Sequence, residues 1–165
     1  MSIEKQMRSI LDRKLKEVNQ KQMYDEIGKT TVDEMRTFIS RGISPVRGER
    51  KFKQYKDKEK YPGIPNKGPN RYPQKSATPV NLNLSGEMLD QALGHRANNN
   101  SVRVGDVRDS GDVSIRFRVH NTGERSDIPR RKFVPYERGD RFLVSIEEKI
   151  RGVIEKHLQG LLSRK

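Results

Sequence analysis

Apolar residues along this chain follow two periodicities, separated by a stretch that has neither. Ile3, Met7, Ile10, Leu11 and Val18 fall on one helical face, extended by Tyr24 and Ile27, with Lys and Arg filling the other face. That spacing predicts an amphipathic helix. Gly28 is expected to stop it. Thr31-Val-Asp-Glu34 then has the spacing of a capping box, in which the Thr oxygen takes one free backbone N–H and the Glu another. A short second helix follows, with Val32, Met35, Phe38 and Ile39 inward and Gly42 as its C-terminal stop.

Beyond residue 79 the period changes. Val80-Asn-Leu82-Asn-Leu84 alternates and reads as a short strand, and Ser85 can cap a short helix carrying Met88, Leu89, Ala92 and Leu93 up to Gly94. Residues 96–101 read as a polar loop. The segment Val113-Ser-Ile115-Arg-Phe117-Arg-Val119 alternates without a break, the period of a half-buried strand. It is expected to form an antiparallel hairpin with residues 102–107 through the turn Asp109-Ser-Gly-Asp112. Phe142, Leu143, Ile146, Ile150, Val153, Ile154, Leu158 and Leu161 recur at steps that keep one helical face apolar, predicting a long helix over about 138–162 packed on that sheet. Its Glu147 and Arg151 stand at the spacing of a surface ion pair.

The chain thus reads as α+β: N-terminal helices (1–42), a long extended basic arm (43–79), and a module (80–165) with a small antiparallel sheet packed by a long C-terminal helix. The arm holds six of the eight prolines and ten Lys or Arg against three acidic residues. No helical or strand period survives there. Phe52, Tyr55, Tyr61 and Tyr72 are spread through it, and aromatic side chains left in water cost free energy, so they mark a segment that docks on something.

Composition limits the burial available. Of 165 residues, 31% are hydrophobic and 35% charged, with no Trp, so the core is modest and partner subunits are expected to complete it. The net charge of +13 and pI near 10.1 suit proximity to nucleic acid, a membrane surface or acidic protein faces. The absence of Cys removes disulfides, thiolate zinc sites and thiol catalysis, and fits a reducing compartment. No apolar run reaches the length of a membrane span and the first ten residues lack a signal-peptide core, so a chain made and assembled in the cytosol, with no membrane partner, is expected.

Candidate chemistry is sparse. His95, His120 and His157 form no metal-ligand spacing, and no phosphate-cradling glycine motif occurs. We therefore expect no catalytic residues, no metal and no cofactor. His120, read at the exit of a strand, is expected on the polar face. The residues that stand out are Arg130, Arg131, Lys132 and Phe133, three cations and an aromatic between Pro129 and Pro135. Such a cluster suits a carboxylate-lined partner. With Phe52, Tyr55, Tyr61 and Tyr72 they form the candidate interface.

Three features in this order carry a resemblance. Pro79-Val-Asn-Leu-Asn-Leu-Ser-Gly-Glu-Met-Leu89 comes first, then Val102-Arg-Val-Gly105 with His120-Asn-Thr-Gly123, then Ile128-Pro-Arg-Arg-Lys-Phe133 leading into the final helix. Over about 79–162 the chain resembles the phage virion morphogenesis family, the tail-completion or neck proteins. The resemblance implies a non-enzymatic structural subunit of the virion, in a six-fold homo-oligomeric ring at the head–tail junction. Adjacent neck and tail-terminator or tail-tube proteins would be its partners, with DNA passing through the channel. The alternative is a basic nucleic-acid-binding accessory protein, motivated by the net charge and the arm alone.

Overall fold

The computed structural model describes Lys5, Gln6, Ser9, residues 20–53, Val80, Leu82, residues 88–125 and residues 129–163. Lys5, Gln6 and Ser9 are helical. The apolar stripe from Ile3 to Val18, the possible strand end at Leu84, the cap at Ser85, and Tyr55, Tyr61 and Tyr72 lie outside the described residues. The elements are helix α1 (Gln20–Ser40), a wide π-helical turn (Met88–Ala92), strands β1 (Leu93–Ala97) and β2 (Val102–Asp106), and helices α2 (Asp112–Thr122) and α3 (Val144–Leu162). The fold class is α+β, with a two-stranded antiparallel sheet and a long C-terminal helix.

Helix α1 runs straight through Gly28, which the sequence reading took as a stop. A mid-helix Gly costs about 1 kcal/mol against Ala. Here its missing side chain is occupied by a neighbour: a Cβ on Gly28 would stand 2.5 Å from His95 Cγ and 2.8 Å from His95 Cβ. The glycine lets β1 lie directly on the helix. Thr31 is likewise no cap. It sits inside the helix and its hydroxyl donates to the Ile27 carbonyl at 2.7 Å, a back-bond that spares the buried oxygen from being unsatisfied. Gly42 does end the helix, with φ 73° and its N–H on the Ile39 carbonyl at 2.9 Å.

The expected strand at 113–119 is helix α2, and the hairpin is formed elsewhere. Strand β1 pairs with β2, Leu93 opposite Asp106 and Ala97 opposite Val102. Their turn is built by Asn98, whose Oδ1 accepts the N–H groups of Asn100 and Ser101 at 2.8 and 2.9 Å. Residues 96 and 97, read as loop, and Gly94, read as a helix stop, are therefore strand. Helix α2 buries Ser114, Phe117, Val119 and Asn121, of which Ser114, Phe117 and Asn121 follow steps of three and four. Two of these four positions are polar and Val119 falls off the three-and-four spacing, so no apolar helical stripe shows in the sequence. Ile115, which made the alternation look like a strand, is 51% exposed. Gly111 at φ 87° and Gly123 at φ 72° bound the helix.

Helix α1 is central. The hairpin lies against it and α3 packs on it, whereas the sequence reading placed α3 on the sheet. Ile146 is fully buried and Val153 nearly so, while Ile150 packs at the edge of the core. Ion pairs fasten the two helices: Glu26 receives Lys156 Nζ at 2.7 Å and His157 Nε2 at 2.9 Å, and Glu34 receives Lys149. Glu147, expected to pair with Arg151, instead binds Arg47 at 2.6 Å. Val32, Met35 and Ile39 of the first stretch, Phe52 of the second and Leu89, Phe117 and Ile146 of the third share one core. Described residues of all three stretches thus enter the same core.

Gly28→Ala is expected to destabilise the protein by about 1–3 kcal/mol in urea unfolding, the usual cost of overpacking, despite the better helix former. Adding His95→Ala should recover most of the loss. A Gly28→Ala chain more stable than the parent would contradict the close approach.

Candidate functional site

The elbow between α2 and α3 is assembled by one side chain. Asn121, buried in the last turn of α2, accepts the N–H of Phe133 and of Val134 at 2.8 Å each on Oδ1. Its Nδ2 donates to the Val134 carbonyl at 3.1 Å. A single amide thus supplies what a neighbouring strand would. One step earlier, the Arg131 N–H donates to the His120 carbonyl at 2.8 Å. The chain can double back this tightly because Gly123 caps α2 in the left-handed region, its N–H on Val119 O at 2.9 Å. A Cβ there would also meet Arg130 Cβ at 2.7 Å. Phe133, brought in by these bonds, packs edge-on to Phe117 with ring centroids 4.6 Å apart.

The cations of the elbow mostly face inward. Phe133 is 0%, Arg131 1% and Lys132 4% exposed. Arg131 Nε donates to the Lys53 carbonyl at 2.9 Å, and its Nη1 lies 3.5 Å from His120 Nδ1. Lys132 Nζ reaches Asp140 at 2.6 Å and Glu137 at 2.9 Å. Its carbonyl accepts the Ser44 hydroxyl at 2.5 Å. Asp140 in turn accepts the N–H groups of Tyr136 and Glu137 at 2.8 and 2.7 Å on its other oxygen.

Electrostatics follow from this burial. Loss of solvent, with the Arg131 guanidinium alongside, holds the His120 imidazole down to about 4. Its Nδ1 is then a neutral acceptor facing a donor. Burial pushes the Asp140 carboxyl up, but the Lys132 bond and the two backbone donors outweigh it and bring it down to about 2. Burial likewise opposes the Lys132 ammonium, and the bonds to Asp140 and Glu137 outweigh it, raising its pKa.

These placements revise the sequence reading. The elbow was expected to present Arg130, Arg131, Lys132 and Phe133 to a partner. Only Arg130 is at the surface, 3.5 Å from both Glu49 and Glu137; the other three turn onto their own chain, Arg131 to the Lys53 carbonyl, Lys132 to the Glu137 and Asp140 carboxylates and Phe133 to the Phe117 ring. Phe52 docks in the chain's own core. His120 is largely enclosed at the end of a helix rather than on a strand's polar face. The other two histidines each meet a carboxylate invisible in the sequence: Asp25 at 3.0 Å from His95 and Glu26 beside His157. Among the described residues no group of three or more potential ligands converges on a metal site.

A groove of about 500 Å³ opens where β2, α2 and the elbow meet. Phe117, Asn121 and Val134 line it together with Val104 and Pro135. Ile115 and Tyr136 are at its mouth, 51% and 70% exposed. Arg103 and Arg118 also line it, paired with Asp109 and Glu124 at 3.0 and 3.1 Å. Neither Ile115 nor Tyr136 was singled out by sequence. Ile115 looked like a core position of a strand, and only a helical period places it outside. No family model, no curated protein and no solved structure matches this chain.

Asn121→Ala should cost about 3 kcal/mol or more, since three buried backbone groups lose their partner at roughly 1–3 kcal/mol each; urea unfolding measures it. Asn121→Asp keeps the acceptor and loses the donor, and should fall between. For pH, His120 binds a proton near 6.5 when unfolded and about 4 when folded. Its contribution is complete above pH 6.5 and lost as pH falls through 4, on the order of 3 kcal/mol at 1.36 kcal/mol per unit. The contribution of Asp140, folded near 2, is complete above about pH 4 and lost toward pH 2. His120→Gln should flatten the first phase of the stability profile and leave the second.

Proposed function

We propose that this chain is a structural subunit of a phage virion, a tail-completion or neck protein. In this reading it forms a six-fold ring at the head–tail junction, joins the adjacent neck and tail-terminator or tail-tube rings, and performs no chemical turnover. The observation that carries it is how the segments bearing the family resemblance are used. Val80, Leu82 and Leu89 from the first segment share a core with Phe133 from the last. The second supplies β2 and the Asn121 and Gly123 that fold the elbow back on α2. The polar residues of these segments hold backbone in place. Asn121 binds two N–H groups and a carbonyl, and Arg131 binds the Lys53 and Pro129 carbonyls. Residues engaged with backbone in this way suit a rigid block in an assembly. The groove with Ile115 and Tyr136 at its mouth supports the same reading, as exposed apolar residues beside a cleft mark contact sites.

Electron microscopy of particles made without this chain tests the proposal. Filled heads and separate tails are expected to accumulate, and supplying the chain should join them. Supplying Ile115→Asp, a change at an exposed position that stays within about ±0.5 kcal/mol of stability, should not restore joining. Normally joined, infectious particles formed without the chain would refute the reading.

A further inference from the structure

The cations of this chain are not spread evenly. Many are spent: Arg36 donates to the Leu89 and Leu93 carbonyls at 2.9 and 3.3 Å, Lys132 is buried against Asp140, and Arg47 and Arg130 hold surface carboxylates. Among the described residues, Lys21 and Lys29 of α1, Arg108, and Arg151 of α3 are exposed and stand in no ion pair, and so are six more: Arg41, Arg50, Lys51, Lys53, Arg138 and Arg141. All six belong to two pieces of backbone, 41–53 and 138–141, that are tied together.

The ties are specific. Residues 42–52 form a narrow loop, with Phe52 N–H on Gly42 O at 2.8 Å and Ser44 N–H on Arg50 O at 3.0 Å. The loop is stitched to the chain entering α3, with Arg47 N–H on Arg141 O at 2.8 Å and Leu143 N–H on Pro45 O at 2.9 Å. The nearby carboxylates are already engaged by other cations: Glu49 by Arg130, Glu137 and Asp140 by Lys132, Glu147 by Arg47. The surface therefore keeps an uncompensated positive charge on an ordered framework.

From this arrangement we infer a second surface, one that binds double-stranded nucleic acid through its phosphates without reading sequence. An acidic protein is the competing partner, and apolar content decides between them. Protein interfaces centre on buried apolar and aromatic residues with charge depleted at the centre. On the loop, Val46 and Phe52 are turned into the core, leaving cations outside without an apolar anchor. Nucleic-acid interfaces are polar and strongly positive. The same lack of exposed rings on the loop favours a duplex over single strands, whose bases need stacking platforms. The inference concerns the isolated chain and stands apart from the virion reading.

The test is fluorescence anisotropy with two 20-base-pair DNA duplexes of unrelated sequence across a range of NaCl. Both duplexes should bind alike, with log affinity falling against log salt at a slope of about −3 to −5, each phosphate contact contributing about −0.9. Replacing Arg50, Lys51 and Arg141 by Gln should make the slope shallower by about 3 and weaken binding roughly 10- to 100-fold near 100 mM salt. A control with the same net charge replaces Lys21, Lys29 and Arg151 by Gln, exposed cations on α1 and α3, and should bind nearly as the parent does. Thermal melting by circular dichroism confirms that both variants fold. Equal loss in both triples would reduce the effect to net charge and overturn the surface. Unchanged binding by the loop triple would place DNA elsewhere, and tighter binding of poly-glutamate than of DNA would assign the surface to an acidic protein; either overturns the inference.

Discussion

The position of the elbow depends on the side-chain amide of Asn121. An amide carries an acceptor and a donor in one plane, the pattern a strand backbone presents to its neighbour, and Asn121 offers both to residues 133 and 134. The chain here has no sheet partner among the described residues, so the amide replaces one. Asp could accept but not donate, and a buried carboxylate would add a charge needing compensation. Ser could not reach three groups. Once Asn121 fixes the backbone, Phe133 is delivered edge-on to Phe117 and Arg131 is placed beside His120. The core at this end follows from a polar contact made first.

A second constraint acts at the other end of α1. That helix meets the hairpin on one side and α3 on another, and a small hydrophobic complement must serve both. Gly28 lets the hairpin approach to the distance of helix backbone and imidazole. The charged groups then finish the edges. Asp25 and Glu26 are neighbours in sequence, yet one meets His95 of β1 and the other His157 of α3. Two consecutive carboxylates thus tie the same turn of helix to two different elements. Exposed pairs of this kind contribute little each, so their effect is on placement more than on stability.

Much of the architecture was legible, and the misses share a cause. The α3 stripe was readable because its inward positions are apolar at helical spacing, and Gly42 because a helix stop needs a left-handed residue. Helix α2 was not, since two of its inward positions are Ser114 and Asn121 and its exposed face carries Ile115. A period calculated on hydrophobicity assumes that buried means apolar, and here burial is satisfied by hydrogen bonds. Gly28 failed for a related reason: its role belongs to His95, sixty-seven positions later, and nothing local reports it. The hairpin turn was available in Asn98-Asn-Asn-Ser101, an Asx-forming run, but the strand before it, Leu-Gly-His-Arg-Ala, has weak β propensity. The elbow cluster was rightly noticed as unusual. Sequence could not show that Lys53 O, His120 and Asp140 would receive its cations.

The cations of the described residues therefore fall into three populations. Interior cations such as Arg131 and Lys132 are structural, and each needs its partners, because removing one would leave a buried charge or carbonyl unpaired. Surface cations in pairs, such as Arg47 and Arg103, are nearly neutral in effect at physiological salt. Among the described residues the remainder projects a field, and a tied group of it lies on 41–53 and 138–141. A cation run in sequence says little about which population it joins. Arg130-Arg-Lys132 looks like the strongest basic motif in the chain, yet it is mostly interior, while Arg50-Lys51 and Arg141 are unremarkable in sequence and stay uncompensated. What separates them is whether a carboxylate or a buried carbonyl is within reach once the chain has folded. For this protein that is decided by the Asn121 elbow, which draws Arg131 and Lys132 inward and leaves the loop beside them charged.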